Sequence, residues 1–172
     1  MPIYALGDVE PEIHPDAWVA AEAVLIGAVV LGPETTVWPY AVLRADDAPI
    51  RIGARTSVQD GCVIHVTAEL STTVGDECVV GHNVHLEGCT VEDRALIGSG
   101  AVVLHEAVIG TGALVGANAV VTNRMVVPPG ALALGVPAKV REGAADAEEI
   151  RRGMQSYLDR RRRYRAELRR IG

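Results

Sequence analysis

The stretch IGSGAVVLHEAVIGTGALVGANAVV, residues 97–121, decides the fold. An aliphatic residue returns at every sixth position, at Ile97, Val103, Ile109, Val115 and Val121, and the series continues to Val127. Small residues recur four positions later, at Ala101, Ala107, Ala113 and Ala119. A six-residue step means a short strand followed by a turn. The branched residue points inward, and glycine, as in Ile97-Gly98 and Ile109-Gly110, is expected to supply turn geometry that a Cβ resists. The pattern predicts a parallel β-helix of hexapeptide repeats, with any chemistry on its outer surface.

The same register runs backward through Val19, Leu25, Leu31, Val37 and Leu43, then Ile52, Val58 and Ile64, then Val74, Val80 and Leu86. It breaks in three places. Three extra residues fall near Ala48 to Ile50, four fall between His65 and Val74, and one is missing between Leu86 and Val91. Insertions in a solenoid are expected to become loops on one face, often the binding face, so the two insertions flank the expected site.

Composition agrees with a narrow interior. Hydrophobic residues make up 49% of the 172, yet there is no Phe and aromatics are only 3%, so small and branched side chains must fill the core. Residues 1 to 150 carry 7 basic against 20 acidic side chains, while residues 151 to 172 carry 9 Arg against 2 acids. The acidic body argues against a nucleic-acid partner, and the basic tail complements the body within one chain or between chains. Cys62, Cys78 and Cys89 are widely spaced without a CxxC pair, so neither a disulfide framework nor a thiolate zinc site is expected. They are expected to fill the prism. No basic leader, long apolar run or membrane span is read, and a reducing cytoplasm is the expected compartment.

The hexads stop at Pro128-Pro129-Gly130 and Gly135-Val136-Pro137-Ala138-Lys139. Beyond them, Ile150, Met154, Tyr157, Tyr164, Leu168 and Ile171 follow a four-three spacing, with Arg161 in the remaining seam position. Residues 146 to 170 therefore read as an amphipathic helix that needs a groove on its own prism or a neighbour's. The organisation is a β-helix domain over residues 1–140, then a linker and C-terminal amphipathic helix over 141–172.

Three hexads return the chain to the same face, so positions three hexads apart stack. Arg44 follows Leu43, His65 follows Ile64 and Glu87 follows Leu86, which predicts one outward column on adjacent coils. His82 lies on a different face, where a single prism does not easily bring it to His65 but a neighbouring chain could. Two histidines and a carboxylate with open positions suit catalytic zinc or ferrous iron. His85 also points outward beside inward Leu86 and is an alternative donor. His14 and His105 are expected to be surface or interface residues, although His105 lies one coil beyond Glu87 and could line the cleft. Trp18 and Trp38 are expected in packing or at an interface.

Arg44-Ala45-Asp46-Asp47, Thr56-Ser57-Val58-Gln59-Asp60-Gly61-Cys62-Val63-Ile64-His65 and Val80-Gly81-His82-Asn83-Val84-His85-Leu86-Glu87-Gly88-Cys89 resemble the γ-class carbonic anhydrases over nearly the whole chain. The resemblance implies an all-β, left-handed β-helix with three hexads to each triangular coil, and a C-terminal α-helix. It implies a homotrimer with zinc or iron between subunits and reversible hydration of CO₂ to bicarbonate. His65 and His82 would be metal ligands from different chains, Gln59 would hydrogen-bond the metal's water, Arg44 and Asp46 would pair across the interface, and Asp60 would hold neighbouring groups in place. Asp47 stands where some members carry an acid that assists proton transfer. The short loop from Val66 to Thr73 lacks the long acidic insertion of those members, so no dedicated proton shuttle is expected.

One position departs from the family. Its third histidine ligand falls at position 87, where this sequence has Glu87. Glutamate can ligate zinc, but its charge lowers the net charge of the site and weakens activation of water near neutral pH. Two other functions stay open from the sequence: an acyl-CoA-dependent hexapeptide acyltransferase, for which one histidine would be the general base, and a non-catalytic trimeric assembly subunit.

Overall fold

A computed structural model describes residues 2–172. The body is a parallel solenoid of about seven turns whose strands stack in three faces, a left-handed β-helix followed by one helix, Ala147–Glu167. On the first face, Leu25, Leu43, Ile64, Leu86, Val103 and Val121 are in register from coil to coil. On the second, Leu31, Ile52, Val74, Val91, Ile109 and Val127 stack likewise. Val19, Val37, Val58, Val80, Ile97 and Val115 form the third column. Nearly all of these residues are buried. Full burial of each such side chain contributes about 1.5–3 kcal/mol.

The periodic alanines explain how three columns fit in one narrow prism. Ala101, Ala107, Ala113 and Ala119 are fully buried beside the branched residues, and Cys62, Cys78 and Cys89 occupy equally tight places. All three thiols are free, and burial pushes each up to about 12.

Glycine has a different role from the one expected. Gly98 and Gly110, which follow inward residues, do not have left-handed backbone. A Cβ on Gly98 would lie 2.5 Å from the Ala117 backbone nitrogen, and one on Gly110 2.6 Å from that of Pro129. They are needed because successive coils approach each other closely. The left-handed corner conformation falls instead on Glu34, Arg55, Glu77 and Arg94, and then on Gly112 and Gly130. Amides at this corner bond from coil to coil, Arg55 to Pro33, Glu77 to Ala54 and Arg94 to Asp76. Its side chains alternate in sign, and Arg55 Nη2 donates to Glu77 Oε1 at 2.6 Å.

The two insertions also differ. Residues 66–71 do form a loop, closed by Thr67 and Leu70 and anchored where Thr72 donates to the His65 carbonyl. The extra residues near Ala48 form no loop. They extend a strand, Val42–Ile52, that pairs along Val24–Leu31 across two faces, with the register shift taken up between Gly27 and Val29.

The C-terminal helix starts at an Asp146 cap, whose carboxylate accepts from the amides of Glu148 and Glu149. It lies on its own prism. Trp18 and Trp38 pack at 4.9 Å with their rings tilted by 55°, and Tyr157 and Tyr164 meet Trp38 edge-on at 5.4 and 5.0 Å. Arg161 is buried in the seam, donating to the Asp16 carbonyl and to Glu34. The apolar stripe ends sooner than its spacing suggests: Leu168 and Ile171 lie past the helix and are exposed, while Leu158, off the four-three series, is buried. No helix among the described residues is long and apolar enough to cross a membrane.

Candidate metal centre

Because side chains alternate about inward Leu43, Ile64 and Leu86, the residues that follow them face out on adjacent coils. Arg44 pairs in register with His65, and His65 with Glu87. Strand spacing of about 4.8 Å brings their side chains together without any long-range design beyond the hexad.

His65 sits between two carboxylates. Its Nδ1 is 3.1 Å from Glu87 Oε1 and its Nε2 is 3.1 Å from Asp46 Oδ1. Asp46 also accepts from Arg44, two residues back on the same strand, so this pair forms within the chain. Burial pushes the Asp46 carboxyl up, but its own backbone amide, the His65 hydrogen bond and the Arg44 charge outweigh that and hold it below the ordinary range. Glu87 is likewise pushed up by burial and brought down on balance by His65, His85 and the nearby His105. Both carboxylates are therefore ionised near neutral pH.

Glu87 has more partners than the column supplies. His85 Nε2 lies 3.2 Å and His105 Nε2 3.6 Å from Glu87 Oε2. His105 Nε2 is buried and, among the described residues, has no hydrogen-bond partner. An unsatisfied buried polar atom costs about 1–3 kcal/mol. The position of His105 is legible as one coil beyond Glu87; the approach of its ring nitrogen is not.

His82 follows Val80-Gly81 at a corner away from the column. Its Nδ1 is 2.9 Å from Asp60 Oδ2, and Tyr157 of the C-terminal helix brings its hydroxyl to 3.3 Å from Nε2. The Asp60 contact matches the carboxylate–imidazole pairing that orients histidines at metal sites. In the sequence Tyr157 is only one member of an apolar stripe. Gln59 is buried, and its backbone amide donates to the Val80 carbonyl of the next coil.

Imidazoles and a carboxylate are the donor chemistry of zinc and ferrous iron. Within one chain, however, no three donors among the described residues are already gathered around a common point. His82 is held elsewhere by Asp60.

The sequence pattern of the bacterial transferase hexapeptide (six repeats) family matches residues 71–105 and 88–123. A carbonic anhydrase of Geobacillus kaustophilus is 42% identical over 166 residues, covering 95% of this chain and 91% of that one. The mitochondrial gamma carbonic anhydrase 2 of Arabidopsis thaliana is 33% identical over 149 residues, covering 83% of this chain and 54% of that protein. A Bacillus cereus crystal structure, provisionally described as an acetyltransferase, superposes with a TM-score of 0.93 at 34% identity, over 96% of this chain and 98% of that one. Sequence and fold agree along almost the whole chain: it belongs to the γ-class carbonic anhydrase-like family of hexapeptide-repeat, left-handed β-helix proteins.

Proposed function

We propose that the chain is a γ-class carbonic anhydrase-type metalloenzyme that hydrates CO₂ reversibly to bicarbonate. It works as a homotrimer in the cytoplasm, where a reducing environment suits three free thiols. His65 and Glu87 of one subunit and His82 of the partner subunit would hold zinc or iron. The observation that carries this reading is the stacking of Glu87 on His65 in one outward column while Asp60 fixes His82 on a separate face.

When bound, the ion would supply Lewis acidity to a water molecule. The chain's own residues position everything else. Glu87 and Asp46 lie against the two nitrogens of His65, so the ion would take the place of one of these contacts while the other fixes the ring. Asp60 engages Nδ1 of His82 and thereby directs Nε2 as the donor. Gln59 would orient the metal's water, and Arg44 with Asp46 would steady the interface side of the column. Glu87 brings a negative charge to a position that an imidazole fills elsewhere in the family, which reduces activation of water at neutral pH.

A metal-replete CO₂ hydration assay on wild type and Glu87→His tests this. Loss of activity in the variant identifies Glu87 as the native ligand. Activity that appears only in the variant overturns the reading. The second reading, an acyl-CoA-dependent acyltransferase, draws on the Bacillus cereus neighbour and on the transferase description of the repeat family. It leaves the Asp60–His82 pairing without a purpose, and acetyl-CoA turnover with no bound metal would favour it.

A further inference from the structure

The corner that carries His82 takes up the left-handed backbone conformation at Tyr40, Gly61, Asn83, Gly100 and Asn118. Its amides bond from coil to coil, Gly61 to Pro39, Asn83 to Asp60, Gly100 to His82 and Asn118 to Ser99. Glycine enters this conformation freely and asparagine tolerates it, whereas a bulky side chain resists it. Tyr40, with φ of 62°, is the one aromatic residue among the described residues to adopt it. Strained backbone of this kind clusters where a side chain has a contact to make.

Within its own chain the Tyr40 ring makes no such contact. Trp18, Trp38, Tyr157 and Tyr164 pack together along the helix seam, and Tyr40 takes no part in that cluster. Its neighbour on the next coil is Gly61, which offers no side chain, and Tyr40 is 71% exposed. Val63, outward on the face that starts at this corner, is exposed as well. An aromatic ring and a branched aliphatic side chain are thus presented on the edge that holds Asp60 and His82.

The period of the solenoid converts one contact between subunits into another. In the hydration reading, His82 of one subunit meets His65 and Glu87 of the partner subunit. Tyr40 stands two coils before His82, one residue further round the same corner and about 10 Å away along the prism. Two coils before Glu87 the outward column holds Arg44, and two coils before His65 it holds Ile26. Prisms that run side by side at that level therefore set Tyr40 of one subunit against Ile26 and Arg44 of the partner subunit. The two surfaces match in chemistry. A half-exposed guanidinium is attracted to the face of a phenol ring, and an aliphatic side chain packs against it.

We propose that Tyr40 anchors a self-association surface whose occupant is a second copy of the chain: the ring docks on Ile26 and Arg44 of the partner subunit. The inference rests on the hydration reading for the level at which the subunits meet. It deepens that reading by naming the contact that holds His82 in place, and it explains why a strained tyrosine stands where asparagine and glycine suffice on later coils.

Two measurements on the full chain test this. In the first, the double variant Tyr40→Cys/Ile26→Cys is mildly oxidised and run on a non-reducing gel beside each single variant. A covalent trimer is expected from the double variant alone. The native thiols are buried, and within one chain position 40 lies about 13 Å along the strand from Arg44, the residue in register with Ile26, too far for a bridge. In the second, sedimentation compares wild type with Tyr40→Asn, with circular dichroism as a check on the fold. Asparagine already fills this turn at Asn83 and Asn118, so the backbone accepts it. The subunit dissociation constant is expected to rise at least about 30-fold. A trimer as tight in Tyr40→Asn as in wild type, or no disulfide in an assembled double variant, overturns the proposal and leaves the hydration reading standing. Covalent trimers of a protein that neither binds metal nor hydrates CO₂ do the reverse. A wild type that stays monomeric at every concentration overturns both.

Discussion

The coils from Ile97 to Val127 and those from Leu43 to Val91 share one interior and differ in almost everything outside it. In the first, hexads follow one another without interruption. In the second, three register breaks fall within fifty residues. The outward slot after the first-face column makes the contrast concrete. It reads Arg44, His65 and Glu87 on three coils and then Leu104 and Thr122 on the next two. The backbone that presents these side chains is the same. Function on this scaffold is thus a matter of which outward slots are ionisable, and stability a matter of inward slots that tolerate little.

That division can be broken by experiment. The largest expected effect is on the chemical half: His65→Ala should lower metal-replete CO₂ hydration by at least about 1,000-fold, equivalent to about 4 kcal/mol, with the urea midpoint nearly unchanged. Ile109→Ala, in the regular half, should do the opposite. It removes a fully buried side chain and should cost about 2–5 kcal/mol in urea unfolding, with hydration per folded molecule retained. Exchange of these two outcomes would abolish the distinction.

Asp60→Asn sharpens it at a point between the halves. The substitution keeps the shape of the group that holds His82 Nδ1 and removes its charge, so metal affinity should fall about 10–100-fold while the melting temperature stays put. An unchanged affinity would make Asp60 a structural residue only. The smallest effect concerns the thiols. Desolvation raises Cys62, Cys78 and Cys89 to about 12, so at pH 8 the native thiolate fraction is on the order of 10⁻⁴. A disulfide reagent should find no fast-reacting thiol in the native protein and all three after denaturation. One fast thiol would show that a coil opens locally.

Much of the fold and of the column is legible in the sequence because a period is a coordinate system. Counting hexads from Ile97 back to Leu43 fixes which residues stack, and strand alternation fixes which way they point; together the two rules put Arg44, His65 and Glu87 in one column. Contacts that depend on torsion angles or on docking are not legible. The approach of His105 to Glu87 depends on ring rotation in a turn, and the Tyr157–His82 contact depends on where the helix settles against the prism. The four-three spacing runs on to Ile171 because apolar periodicity carries no information about where the supporting face ends. Glycine misleads for a related reason. A glycine demanded by positive φ and one demanded by a backbone neighbour on the next coil look alike in sequence, and only the 2.5 Å approach at Gly98 separates them.

The corner where Glu34, Arg55, Glu77 and Arg94 succeed one another gives the stack a parity. In a solenoid every coil resembles the next, so a growing stack can skip one and still bury aliphatic residues against aliphatic residues. At this corner a skipped coil sets Glu34 against Glu77 or Arg55 against Arg94, and like charges replace opposite ones on the rim of a closing stack. The aliphatic columns reward any stacking, and the corner keeps count.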